Sequence, residues 1–138
     1  MRITKTFTFD AGHRLSNYAG KCRRLHGHTY ILELTVEGER DSIGMVIDFG
    51  ELKRIYKETV DNKFDHRFML MRGDRLNEDI SNALPKGDES ICWLDYNPTA
   101  ENMSYDIAEM IQKELKPDVK LVRVKLYETP TSYAELII

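Results

Sequence analysis

Three of the chain's four histidines, His13, His26 and His28, are spaced so that they can share one ion. His26-Gly27-His28 is the sharpest feature. In an extended backbone, residues i and i+2 project to the same side, so these two rings can converge. His13 follows the first predicted strand and comes beside the pair if the first two strands form a hairpin. Three imidazoles around one point suit Zn2+, at about 2.0–2.1 Å from each nitrogen, and leave a fourth position for water or substrate. That open position is the pattern of a catalytic zinc. Spacing alone leaves two other readings open. His26 and His28 can be surface residues with His13 satisfied in the core, or Cys22 can join the three histidines in a closed structural site.

Cys22 lies four residues before His26, in Lys21-Cys22-Arg23-Arg24-Leu25-His26. The thiolate is the reactive form of cysteine, and neighbouring positive charge favours it. Lys21, Arg23 and Arg24 supply that charge, so Cys22 is a candidate base. A packed, inert thiol is the alternative, and the basic setting argues against it. Asp65-His66 is a second candidate group, because a carboxylate can orient an imidazole and stabilise its protonated form. A solvated Asp-His pair at a helix exit fits the sequence equally well. Glu128 shares a strand face with Val122, Val124 and Leu126, and a carboxylate on an apolar face needs a partner. An internal lysine or arginine would serve, and so would a ligand offering two parallel N–H donors. Thr99 and Glu101 read first as helix-start residues and only second as ligand contacts.

The elements that must position these groups are legible from periodicity. Ile3, Phe7 and Phe9 alternate with threonines over Ile3–Phe9, a strand. A polar stretch, 10–27, follows. Tyr30, Leu32, Leu34 and Val36 alternate with polar residues in a second strand. Asp48, with Glu51 three residues on, predicts a helix start, and Leu52, Ile55, Tyr56, Thr59 and Val60 follow at helical spacing. Residues 67–98 read as a long irregular stretch with one apolar island, Ile91–Leu94. Loops this long are usually functional or mobile. Thr99 caps a second helix with an apolar stripe of Met103, Ile107, Met110, Ile111 and Leu115. A methionine stripe of this kind is far more often core than a cofactor box. Pro117 closes that helix. Val122, Val124 and Leu126 mark a third strand, and residues 132–138 a fourth. The order β-β-α-α-β-β predicts an α+β fold: a four-stranded antiparallel sheet with both helices on one face. The uncovered face and unpaired edges predict oligomerisation through the sheet.

At 138 residues the chain is the size of one domain, 1–138, and 41% hydrophobic residues suffice for a core. With 20 basic and 23 acidic residues, nothing marks a protein built to hold nucleic acid or an anionic membrane. No apolar run approaches the roughly 18–20 residues of a bilayer span, and the first residues lack a signal core. The expectation is a cytoplasmic protein whose two cysteines, Cys22 and Cys92, are free thiols.

Phe9-Asp10-Ala11-Gly12-His13-Arg14-Leu15, followed by Cys22-x-x-Leu25-His26-Gly27-His28, resembles the zinc and cysteine signature of the 6-pyruvoyl-tetrahydropterin synthase/6-carboxytetrahydropterin synthase family. Phe64-Asp65-His66, Pro98-Thr99-Ala100-Glu101-Asn102 and Tyr127-Glu128-Thr129 are similar to that family's Asp-His pair, second-helix start and pterin-anchoring glutamate. The matches keep their order over nearly the whole chain. The resemblance implies a tunnelling fold, whose subunits form a β-barrel trimer with two trimers stacked in a homohexamer, and an active site between subunits. It implies zinc on His13, His26 and His28, Cys22 as the proton-abstracting base assisted by Asp65 and His66, and Glu128 on the guanidine-like edge of a pterin, with Thr99 and Glu101 as lesser substrate contacts. Lys21, Arg23 or Arg24 can neutralise a triphosphate.

Two features depart from the family. The stretch between His66 and Pro98 is longer than its usual connection. Residues 23–25, Arg-Arg-Leu, also lack the glutamate of relatives that make 6-hydroxymethyldihydropterin. The Cys22–His28 run resembles more closely the bacterial 6-carboxytetrahydropterin synthases of queuosine synthesis, which release acetaldehyde and triphosphate from 7,8-dihydroneopterin triphosphate. The runner-up is 6-pyruvoyl-tetrahydropterin synthase, which eliminates triphosphate alone. From another class, the competitor is a non-catalytic zinc-stabilised binding domain.

Overall fold

Two long strands, β1 (Arg2–His13) and β2 (His26–Glu37), pair antiparallel along their full length, and both run further than their alternation predicts. The computed structural model describes residues 1–138. The stretch taken from sequence as polar loop is strand at both ends, because Gly12 and Gly27 sit opposite each other in the ladder. Both glycines are places of close approach. A Cβ on Gly12 would lie 2.3 Å from a ring carbon of Phe68, and one on Gly27 would lie 3.0 Å from the Ala11 carbonyl oxygen. The pairing brings His13 opposite His26 and Ala11 opposite His28.

β3 (Phe68–Met71), α2 (Arg75–Asn82) and β4 (Ile91–Leu94) fill the segment that reads as irregular. α1 precedes them. It starts at Phe49–Tyr56, passes through a π-helical stretch at Lys57–Asp61 and closes with a turn at Asn62–Phe64. α3 (Ala100–Glu114), β5 (Lys120–Thr129) and β6 (Ser132–Ile137) complete the chain. The sheet order is β4-β3-β1-β2-β5-β6, so it has six strands rather than four, with three helices. The four-stranded expectation fails because β3 and β4 are four residues each and pair parallel. Runs that short and that continuously apolar carry no readable alternation.

Both expected caps form. Asp48 accepts from the Gly50 N–H at 2.6 Å, and Thr99 Oγ1 accepts from the Asn102 N–H at 3.3 Å. Leu52, Ile55 and Phe64 of α1 and Met103, Ile107 and Ile111 of α3 are buried with Phe9, Tyr30, Leu32 and Leu34 of the sheet. Each such side chain contributes about 1.5–3 kcal/mol by leaving water. The methionine stripe is core, as its spacing predicts: Met103 is buried and Met110 packs on its margin.

β5 carries two irregularities. Val36 pairs with Leu121 while Thr35 pairs with Arg123, so Val122 is the extra residue and Leu121 takes the core place expected of it. Between Tyr127 and Thr129 the register against β6 shifts again, leaving Glu128 over. β6 ends the sheet with an open edge and exposes Tyr133, Ile137 and the following Ile138. No helix is long and apolar enough to cross a membrane.

Candidate metal centre and active site

The hairpin register gathers three rings at the end of β1 and β2. One nitrogen from each of His13, His26 and His28 lies within 4.8 Å of the others. His13 is fully buried, and the other two are half-buried. The hydrogen bonds fix which nitrogens face inward. His13 Nδ1 lies 2.7 Å from the Pro98 carbonyl oxygen, and His26 Nδ1 lies 2.7 Å from the Arg24 carbonyl oxygen. A carbonyl only accepts, so both rings carry the proton on Nδ1 and present bare Nε2 lone pairs. Those two Nε2 atoms stand 3.0 Å apart. The Nε2 of His28 is buried and has no hydrogen-bond partner. Three converging imidazoles, two of them oriented by backbone carbonyls and the third with a buried, unpartnered nitrogen, form a set a cation completes.

Burial depresses the His13 pKa to about 4, against a raising hydrogen bond to Pro98 and with help from the neighbouring His26 and His28. Burial lowers His28 as well, against the attraction of Glu128. Both shifts favour neutral rings, which bind metals. In the metal-free protein they also make stability depend on pH. The unfolded chain protonates His13 near 6.5, whereas the folded chain resists until about 4. The contribution is present above the unfolded value and is lost as pH falls through that window. His66, raised by the Asp65 carboxylate, acts in the opposite sense, and its exposure screens that effect. Urea unfolding of metal-free protein should therefore give a lower midpoint at about pH 5 than at about pH 7.5. An equal or higher midpoint at the acid pH would contradict this account.

Glu128 Oε1 approaches the same centre, 3.2 Å from His13 Nε2 and 3.4 Å from His28 Nε2. Neither contact is a hydrogen bond: His13 Nε2 presents a lone pair, and His28 Nε2 stays unpartnered. The bulge at Glu128 turns its carboxylate inward. No lysine or arginine pairs with it, and Oε2 accepts from no protein donor, so the internal-cation alternative does not hold.

Cys22 is the half-buried residue of an otherwise exposed 3-10 turn, Lys21–Arg23, and its sulfur is not among the converging groups. Cys22 and the three histidines therefore do not converge on one point in this structure. Cys22 and Cys92 are both free. Asp65 and His66 do face each other, with Oδ2 to Nδ1 at 2.7 Å. Asp65 Oδ1 accepts from the Asp10 N–H at 2.9 Å, and the His66 N–H donates to the Asp10 carbonyl at 2.7 Å, tying the pair to the edge of β1. His66 takes a left-handed conformation at φ 56°. Its pKa is raised by the Asp65 carboxylate. Burial pushes the Asp65 carboxyl up, but the Asp10 N–H and His66 outweigh it and hold the group below its ordinary value. No hydrogen bond or ion pair joins His66 to the imidazole cluster, and its side chain is 79% exposed. His28 and His66 nevertheless line one cleft of about 570 Å³, together with Asp10, Thr29 and Arg67. That volume accommodates a small ligand.

Thr99 is occupied as the α3 cap, and Glu101 is exposed in its first turn. Neither reaches the cluster. Sequence reasoning missed Pro98, whose carbonyl orients His13, and Tyr30, whose buried hydroxyl lies 3.4 Å from His13 Nδ1. A backbone carbonyl leaves no residue-type signal. Tyr30 was visible only as a core position of β2.

Residues 2–137 match the family model described as 6-pyruvoyl tetrahydropterin synthase. The chain belongs to this family. A 6-carboxy-5,6,7,8-tetrahydropterin synthase from Rickettsia bellii is 36% identical over 140 residues, covering 99% of both chains. One from Haemophilus influenzae is also 36% identical, covering 97% of this chain and 96% of that relative. Among solved structures, an uncharacterised protein from Wolinella succinogenes superposes with a TM-score of 0.84 at 27% identity, over 99% of this chain and 97% of that one. The 6-pyruvoyl tetrahydropterin synthase of Caenorhabditis elegans has a TM-score of 0.72 at 24% identity, over 100% and 95%, and at that distance attests the fold.

Proposed function

We propose that the protein is a zinc-dependent 6-carboxy-5,6,7,8-tetrahydropterin synthase, converting 7,8-dihydroneopterin triphosphate with release of acetaldehyde and triphosphate. The observation that carries this is the convergence of three imidazole nitrogens, two of them left bare because backbone carbonyls hold the ring proton on the opposite nitrogen, beside a ligand-sized cleft. The name comes from relatives 36% identical over essentially the whole chain.

His13, His26 and His28 would hold the zinc. When bound, the ion supplies Lewis-acid polarisation of the substrate's side-chain hydroxyls. Cys22 takes a proton from the side-chain carbon. His66, kept protonatable by Asp65, handles the proton on the other side of that exchange. Glu128 binds the guanidine-like edge of the pterin with the carboxylate oxygen that no protein donor uses. Lys21, Arg23 or Arg24 neutralise the triphosphate.

Because the Asp65–His66 pair stands apart from the imidazoles, the site is completed between subunits of a cytoplasmic homohexamer whose trimers close through the open β6 edge. Light scattering that returned a monomer would remove this part of the proposal.

Incubation with 7,8-dihydroneopterin triphosphate tests the activity. Acetaldehyde with triphosphate supports the proposal. Triphosphate alone would assign 6-pyruvoyl-tetrahydropterin synthesis instead. Neither product would leave no enzyme of this class.

Replacing Glu128 with glutamine separates its two possible attachments. A pterin anchor predicts retained metal and a KM raised roughly 10-fold or more, since a charge-assisted hydrogen bond contributes about 1.5–3 kcal/mol. Loss of the metal would make Glu128 a ligand.

A further inference from the structure

The turn that carries Cys22 is tied to the imidazole cluster only at its exit, where His26 Nδ1 meets the Arg24 carbonyl. Its entry and middle are held by Leu15 and Arg14, and Arg14 is in turn bound by the segment that follows His66. The Leu15 N–H donates to the Cys22 carbonyl at 2.9 Å, and Arg14 Nε donates to the Arg23 carbonyl at 3.2 Å. These bonds span the residues on which the thiol is mounted. Arg14 is itself buried, at 8% exposure, and a buried guanidinium needs partners. Its Nη1 donates to Asp74 Oδ2 at 2.8 Å and to Asn77 Oδ1 at 2.5 Å.

Both partners come from α2. Asp74 divides its oxygens between two tasks: Oδ1 caps α2 through the Leu76 N–H at 2.9 Å, and Oδ2 faces Arg14. Hydrogen bonds from Ser16 and Arg14 keep its carboxyl ionised, at about 2. Asn77 is fully buried, and its amide donates to Ser16 Oγ at 3.1 Å and to the Met71 carbonyl at 2.9 Å. It is the only buried residue of α2, so this helix docks through a polar side chain rather than an apolar stripe. Such a fully bonded polar junction fixes direction better than oil-like packing does.

We infer that Arg14, clamped by Asp74 and Asn77 of α2, is a positioning residue that holds the Cys22 turn in its working place. The inference rests on the reading of Cys22 as the base and gives the segment after His66 a task in that chemistry.

The test uses the full-length, metal-loaded protein and two variants. Asn77→Ala removes one anchor of Arg14. Asp74→Asn leaves an oxygen to cap α2 and turns an amide donor toward the guanidinium, and it decides the matter if Asn77→Ala does not fold. Hydrogen exchange is followed over residues 20–25, whose Arg23 and Arg24 N–H groups bond the Gly20 and Lys21 carbonyls. Turnover is measured with 7,8-dihydroneopterin triphosphate. The expected result is lost protection in residues 20–25, unchanged metal content and KM, and a kcat lower by roughly 10–100-fold, the cost of misplacing a reacting group by about an ångström.

A merely structural contact would raise exchange in α2 while residues 20–25 and kcat stay as in the parent. Either retained protection there or an unchanged kcat overturns the inference. Turnover surviving in Cys22→Ala would sink the assignment of the base instead, and exchange at residues 20–25 would still report whether Arg14 holds the turn.

Discussion

Cys22→Ala should abolish turnover while leaving the metal and the fold in place. A positioned general base contributes about 10²–10⁴-fold, so kcat should fall to roughly a hundredth to a ten-thousandth of the parent value. The fold should survive because the turn is held through backbone atoms. The Cys22 carbonyl accepts from Leu15, and the Arg23 carbonyl accepts from Arg14, neither of which involves the sulfur. Cys22 is only half-buried, and substitutions away from core and buried networks usually cost within about 0.5 kcal/mol. The metal should survive because the converging donors are the three imidazoles alone. A structural zinc domain predicts the reverse: Cys22→Ala would lose metal and unfold, with nothing to measure in an assay. Metal analysis, thermal unfolding and the acetaldehyde assay on one preparation separate the two.

The three-histidine cluster was more legible in the sequence than the frame around it. His26-Gly27-His28 announces two rings on one side of an extended chain, and the hairpin needed to add His13 follows from the alternation of β1 and β2. The choice between an open and a closed site was not legible. It turns on whether a thiol four residues away curls inward, and the 3-10 turn at Lys21–Arg23 decides that it does not. Nor did the sequence disclose β3, β4 and α2. Their apolar runs are too short to carry a period, and α2 buries a single asparagine where a helix normally buries a stripe. In the sequence Glu128 reads as a carboxylate in need of a partner. Its rival explanation, an internal cation, could be removed only once the neighbours were known.

His26→Ala should reduce bound metal from about one ion per chain to near none, and turnover with it, because three protein ligands are the minimum of a catalytic zinc site. His26 is the right ligand to remove. His13 is fully buried, bonded to the Pro98 carbonyl and within reach of Tyr30, so its truncation would open a core cavity and confound metal loss with unfolding. His26 is half-buried at the mouth of the hairpin, and apart from its ring neighbours it makes one hydrogen bond, to the Arg24 carbonyl. Its loss should leave β1 and β2 paired and remove only the donor. The variant also isolates what the ion contributes to stability. A ligand that binds the native state alone raises the midpoint of unfolding, so added zinc should stabilise the parent by several degrees and His26→Ala hardly at all. Retention of stoichiometric metal and full turnover by His26→Ala would mean that the imidazoles, though gathered, are not the donor set, and the catalytic assignment built on them would fall with it.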